Sequence, residues 1–268
     1  MQLPLTEDQA PPPPPRTVTF EQPLNERLRM FLRLEFLYQQ VIHYRDVPTT
    51  WGMRAAIQSL LEIFAITSRG DPKADVIKEL ERRLAVLREF QNRPGVDATR
   101  LRAVTHQLLQ RRDELQATST TAFAKLRDNE FLAAIKHRST IPGGTCEFDL
   151  PSYTHWLRLS AETRRADFDA WLDVLRPLCD AVQDVLWLTR ENVRVRNEVA
   201  LAGNFHLVFE RDVPIQMLRI TLPAESGLHP EISGGAHRCS IRFLRWIDAQ
   251  TRAAQSSEDI SFVLGCCN

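Results

Sequence analysis

No stretch of this chain approaches the ~18 consecutive apolar residues of a membrane-spanning helix, so membrane insertion is not expected. Its opening, MQLPLTEDQAPPPPP, has no basic segment and no apolar run, which speaks against a secretory signal and for a protein kept in the cytoplasm. Net charge is lacking too. The 34 basic and 34 acidic residues cancel, so nothing draws the chain as a whole toward DNA or acidic lipid. The cysteines, Cys146, Cys179, Cys239, Cys266 and Cys267, never take the C-x-x-C spacing of a zinc or redox site. Their odd number and the adjacent terminal pair argue against a disulfide framework and predict reduced, mostly buried thiols.

Motifs for chemistry are missing in the same way. Gly143–Gly144 and Gly234–Gly235 are not followed by Lys-Ser/Thr and do not belong to G-x-G-x-x-G, so they read as turn glycines. The histidines are scattered without H-E-x-x-H or another ligand spacing, and no serine sits in G-x-S-x-G. No catalytic residue, cofactor site or metal site is expected, and the protein is not expected to be an enzyme.

What is present is the composition of a folded protein, 43% hydrophobic and 25% charged, in 268 residues that allow one large or two ordinary domains. Residues 1–18 hold five consecutive prolines and little to bury, and read as a disordered or polyproline II tail. Residues 19–193 read as a mainly α-helical domain. The segment FEQPLNERLRMFLRLEFL (20–37) predicts a first helix with Pro23 at its first position. It crowds Leu24, Leu28, Met30, Phe31, Leu32, Leu34, Phe36 and Leu37 among Arg27, Arg29, Arg33 and Glu35, apolar on most of its sides. A second helix over 51–67 ends at SRGDPK, where Asp71 caps and Pro72 opens a third. That third helix carries Ile77, Leu80, Leu84 and Leu87, with Glu79 and Arg83 paired on its outer side. A fourth follows RPGVD (93–97) with Leu101, Val104, Leu108 and Leu115, and a fifth is expected over 120–137. Phe168, Trp171, Leu175, Leu178, Val182 and Val185 form a last stripe, interrupted by Pro177, where the helix kinks or a new one begins.

Beyond Arg194 the hydrophobic period shortens from about 3.6 residues to about 2. EVALA, FHLVFE, QMLRITL, HRCSIRFLRW and ISFVLGCC read as short strands between Gly, Pro and Asp turns, making 194–268 a β-strand domain. Helices first and strands afterwards predict an α+β fold with an antiparallel sheet. Alternation within the strands orients their arginines. Leu218, Ile220 and Leu222 share one face, so Arg219 takes the other. Cys239, Ile241 and Phe243 share one face, leaving Arg238, Ser240 and Arg242 opposite. If the two strands lie side by side, these guanidinium groups form a basic patch suited to carboxylates; otherwise they are a solvated sheet face.

Five segments resemble, in the same order, signatures of the ZapD family of bacterial cell-division proteins. They are FEQPLNERLRMFLRLEFL (20–37), RPGVD (93–97), IPGGTCEFDLP (141–151), HPEISGGAHRCSIRF (229–243) and the terminal Cys266–Cys267. The chain departs from the family in its proline-rich extension, around 45–60 and in Asn268. The resemblance implies an N-terminal helical bundle domain followed by a small antiparallel β-rich domain, assembled as a homodimer. The apolar face at Leu28–Leu37 and the 168–185 stripe offer surface for that second subunit. It also implies that the dimer binds the C-terminal tail of FtsZ and bundles FtsZ filaments, promoting Z-ring assembly at the mid-cell division site. By position, Arg69 in SRGD and Arg238 in HRCSIRF match the family's tail-binding arginines; Arg219 and Arg242 join them from the strand-face argument alone. The alternative is a nucleic-acid-binding module using Arg100–Arg102 and Arg111–Arg112. Net neutrality and the acids on those helices speak against it.

Overall fold

The computed structural model describes residues 16–68, 70–91, 93–209, 215–235 and 237–268. Helix α1 (Glu26–Arg45) narrows the broad apolar surface of the sequence to one buried row, since Leu28, Phe31, Leu34, Leu37, Tyr38 and Val41 recur at helical steps and are all buried. Its charged residues have distinct partners. Glu35 takes both nitrogens of Arg190 at 2.7 Å, Arg27 lies 3.8 Å from Glu79, and Arg29 lies 3.3 Å from Glu26. The surface that the sequence offers to a second subunit is therefore largely occupied. Leu28–Leu37 and the stripe from Phe168 to Val185 are buried inside one chain, and Phe36, 59% exposed, is the apolar side chain left on the solvent side of α1.

The helical unit, Glu26–Glu191, continues with α2 (Thr50–Thr67), α3 (Pro72–Phe90), α4 (Ala98–Ala117), α5 (Thr120–Arg127), α6 (Glu130–Arg138), α7 (Pro151–Leu157) and α8 (Ala161–Glu191). Side-chain caps set several of these starts. Thr49 accepts from the Gly52 amide at 2.9 Å, Asp71 from Ala74 at 3.0 Å, and Asp97 from Thr99 and Arg100 at 2.8 and 3.0 Å. Asn129 caps Leu132 at 3.0 Å, so the single helix expected over 120–137 is two. Pro177 does not break α8. The apolar row from Phe168 to Val185 is buried on both sides of it, and that packing outweighs the one backbone bond lost. Glu79 and Arg83 also depart from expectation. Both are buried, 1% and 6% exposed, and joined at 3.0 Å, because Arg83 reaches Thr189 of α8 at 2.8 Å instead of solvent.

The second unit comprises residues 16–25 and 192–268. Residues 17–18, assigned above to a tail, and 19–23, assigned to the helical domain, instead form strand β1 (Thr17–Pro23). It pairs antiparallel with β4 (Met217–Pro223) from Thr17↔Pro223 to Pro23↔Met217. Thr17, Val18, Thr19 and Phe20 favour extended backbone, and Phe20 packs on the core of this unit. The helical unit thus spans 26–191 rather than 19–193. The proline run at 11–15 lies outside the described residues.

The remaining strands are β2 (Val193–Ala200), β3 (Asn204–Val208), β5 (Leu228–Gly234), β6 (Arg238–Arg245), β7 (Ala254–Gln255) and β8 (Ile260–Cys267). One sheet runs β1-β4-β8-β2 and the other β3-β6-β5, with β7 on the end of β6 and every pairing antiparallel. Leu218, Ile220, Leu222, Phe262 and Leu264 from the first sheet share a core with Leu207, Cys239, Ile241 and Phe243 from the second, so the sheets pack face to face. Strand β5 is hidden in the sequence by Pro230, which is tolerated because β5 lies at an edge.

A tight turn at Ala202–Gly203 carries the chain from β2 into the other sheet, with φ of +46° and +70°. A Cβ on Gly203 would lie 2.4 Å from the Ser256 carbonyl oxygen. Gly203→Ala is therefore expected to destabilise the protein by at least ~1–2 kcal/mol, from left-handed backbone alone, read as a lower urea midpoint.

Candidate partner-binding surface

The burial of β6 alternates as its sequence predicts. Cys239, Ile241 and Phe243 point into the core, while Arg238 and Arg242 are exposed and Ser240 is half-buried on the opposite face. Register places their neighbours. Arg238 lies opposite Val208, Ser240 opposite His206 and Ser233, and Arg242 opposite Asn204 and Glu231. A groove of about 370 Å³ runs along this face past His206, Val208, Ser233, Gly234, Arg238 and Ser240. Gly234 permits the close approach at its end, since a Cβ there, at φ +150°, would lie 2.4 Å from the Arg238 carbonyl oxygen.

Of the four arginines singled out from the sequence, the three that lie among the described residues do not converge. Arg238 and Arg242 share the outer face of β6, but Arg219 projects from the outer face of the other sheet, on the far side of the shared core. The single patch would have required adjacent strands, and β4 and β6 lie in different sheets. Arg219 Nε sits 3.2 Å from Glu21, an electrostatic contact not aligned as a hydrogen bond. Arg242 is held by Glu231 across the strands. Arg69 lies outside the described residues. Arg238 is exposed and meets no carboxylate among the described residues.

His206, Ser233 and the 80% exposed Val208 complete the groove and were not singled out from the sequence. Their signal is the alternation in FHLVFE, which puts His206 and Val208 on one face once β3 is known to flank β6. The groove offers an exposed guanidinium, two serine hydroxyls, an imidazole and an apolar contact. These suit an extended segment bearing a carboxylate beside an apolar side chain.

The thiol nearest the groove is no nucleophile. Burial, with the neighbouring Cys266, pushes Cys239 up to about 11, so it is protonated at neutral pH. Cys179 is pushed higher still by burial. All five cysteines are free thiols, three of them buried. Among the described residues, no three His, Cys, Asp or Glu side chains are placed to hold a metal ion, and no helix is long and apolar enough to cross a membrane. The arginines of the nucleic-acid reading are engaged as well. Arg100 faces Glu191 at 3.0 Å, Arg111 faces Asp184 at 2.9 Å, and Arg112 faces Asp113 at 2.7 Å.

Fold and surface together define a two-unit α+β protein, helices followed by an antiparallel β-sandwich that carries a basic outer groove. A family model for ZapD, described as a cell division protein, matches residues 32–242. The chain is 36% identical over 251 residues to the cell division protein ZapD of Dechloromonas aromatica (strain RCB), covering 94% of this chain and 99% of that one. It is 35% identical over 250 residues to that of Methylococcus capsulatus (strain Bath), covering 93% and 98%. To that of Chromobacterium violaceum it is 36% identical over 250 residues, covering 93% and 99%. The chain belongs to the ZapD family of cell division proteins.

Proposed function

We propose that this protein binds the C-terminal tail of FtsZ through Arg238 and the groove around it, and as a homodimer crosslinks FtsZ filaments into bundles at the mid-cell division site. The reading is non-catalytic and places the protein in the cytoplasm, where FtsZ polymerises. The observation that carries it is the exposed Arg238 guanidinium, which faces no carboxylate among the described residues and lies in a groove with hydrogen-bonding groups beside it. Arg242 extends the same face, and Arg69, in the SRGD segment, is proposed from the family resemblance alone as a further tail-contacting arginine. Each tail contact is weak on its own. Two sites in a two-fold dimer, acting on a filament that displays many tails, raise avidity by ~10²–10⁴.

Arg238→Ala is expected to weaken binding of an FtsZ tail peptide roughly ten- to a hundredfold, the worth of about 1.5–3 kcal/mol for a charge-assisted contact. Because the side chain is exposed, the substitution should change folding stability by under ~1 kcal/mol. Arg242→Ala should weaken binding too, since it removes a positive charge and leaves Glu231 unneutralised on the same face. Arg219→Ala, on the other sheet, should have a smaller effect. Fluorescence anisotropy with a labelled tail peptide, at rising salt, reads all three, and wild-type affinity should fall as charges are screened. A folded Arg238→Ala protein that binds the peptide and bundles filaments like the parent would move the site away from this groove.

A further inference from the structure

We propose that a cavity beside Arg54 in the helical unit is a small-molecule site, and that it takes a carboxylate carried on a planar ring. About 360 Å³ of space is lined there by Trp51, Arg54 and Gln58 of α2, Ile135 of α6, Thr145 of the loop between α6 and α7, and Tyr153 of α7. Ligand cavities run from ~300 to 1,000 Å³ and combine apolar and aromatic walls with a few polar groups, as this one does at the small end of the range.

Arg54 gives the cavity its chemistry. The guanidinium is half-buried and lies 4.7 Å from the centroid of the Tyr153 ring and 5.6 Å from that of Trp51, so two aromatic rings hold it in place. Its hydrogen bonds go to the Thr145 carbonyl oxygen at 3.1 Å and to the hydroxyl of that residue at 3.4 Å, and both leave from Nη1. Among the described residues Nε and Nη2 make none, and no carboxylate lies within ion-pair distance. The acids of the adjoining loop are engaged elsewhere, since Glu147 takes Arg158 at 2.8 Å and Asp149 lies 3.6 Å from Arg138. Pinning the loop through Thr145 accounts for one nitrogen. The other two form one edge of the planar group, the edge that matches both oxygens of a carboxylate.

The remaining walls select the ligand. Tyr153 is 2% exposed, and burial pushes its phenol up to about 12, so at neutral pH it adds an uncharged hydroxyl and Arg54 supplies the charge. One guanidinium suits a monoanion. A phosphate dianion would set two negative charges against it, close to the loop that carries Glu147 and Asp149. Trp51 is 77% exposed while lining the cavity, so its indole is open to a planar partner. None of this rests on the tail-binding reading, whose groove belongs to the other unit.

Titration calorimetry and saturation-transfer NMR on the full chain test it. Indole-3-acetate, phenylacetate and benzoate are the probes, with indole-3-acetamide as the neutral control and phenyl phosphate as the dianionic one. At least one carboxylate should bind saturably with a Kd of ~1 mM or tighter. The acetamide should bind about tenfold or more weaker than indole-3-acetate, having lost the charge-assisted contact. Arg54→Gln should weaken the carboxylate about tenfold or more for the same reason, and Trp51→Ala about two- to tenfold through lost stacking. Circular dichroism checks the fold, and Trp51→Ala, at an exposed side chain, keeps the test decisive should Arg54→Gln unfold. The proposal is overturned if no carboxylate reaches that affinity, if the acetamide binds as well, if phenyl phosphate binds more tightly, or if the folded variants bind like the parent. Binding lost in Arg238→Ala but kept in Arg54→Gln would place the probes in the sandwich groove and overturn it equally.

Discussion

Glu79→Ala is expected to lower the stability of this protein by about 3–5 kcal/mol, the cost of breaking a buried ion pair from one side. Glu79 is 1% exposed, and its carboxylate takes Arg82 at 2.5 Å and Arg83 at 3.0 Å, with Arg27 at 3.8 Å. Arg83 is buried beside it and donates to Thr189 at 2.8 Å. Removing the carboxylate takes the Glu79 charge away from a buried guanidinium and sets three cations near one another. Glu79→Gln keeps the volume and part of the hydrogen bonding, so its loss should be smaller.

The same carboxylate makes stability depend on pH. Burial alone would raise its pKa, but hydrogen bonding to Arg82 and the charges of Arg82, Arg83 and Arg27 outweigh burial and hold it below the ordinary value of 4.5. A depressed folded value means that the stabilisation is fully present above 4.5 and is lost as pH falls through the folded value. Urea midpoints of the parent and of Glu79→Gln should therefore converge as pH drops below 4.5. Midpoints that keep a constant separation down to strong acid would remove Glu79 as the source.

Phe243→Ala is expected to cost a further large amount, about 3–5 kcal/mol, because it opens a cavity between the two sheets. Phe243 is fully buried, and its ring centroid lies 4.9 Å from that of Phe262, which in turn meets Phe205 edge-on at 5.2 Å. The backbone of Phe243 is engaged independently. Its amide donates to Gly203 at 2.9 Å and its carbonyl accepts from Ser256 at 2.9 Å. The strand should therefore stay paired while the sheets lose their packing, and Phe243→Leu, which refills most of the space, should recover much of the loss. Thermal unfolding followed at the near-ultraviolet aromatic signal reads the difference. Because Arg238 and Arg242 stand on the same strand, the proposed tail binding is expected to fall with it near the unfolding temperature.

The proposed binding groove was half legible. The alternation in HRCSIRF placed Arg238 and Arg242 on one outward face, because residues two apart on a strand share a side whatever surrounds the strand. It could not place His206 and Ser233 beside them, since that depends on β6 pairing with β3 and β5. Arg219 shows the same limit from the other direction. Its face was read from its own strand, yet its distance from Arg238 depends on β4 joining the other sheet.

By itself, then, the sequence determined what depends on neighbours within about one helical turn or one strand. That covers the existence of α1, the helix starts at Asp71 and after RPGVD, and the in-and-out order of β4 and β6. Tertiary structure decided what depends on partners distant along the chain. It drew Thr17–Pro23 into a sheet with Met217–Pro223, where that pairing outweighed the helical signal of the following residues. It buried the Glu79–Arg83 pair that the local pattern placed outside, because α1 supplied Arg27 and α8 supplied Thr189 to satisfy the charges there. Periodicity tells a side chain which way it faces, but only the element that arrives on that side makes the direction core, surface or site.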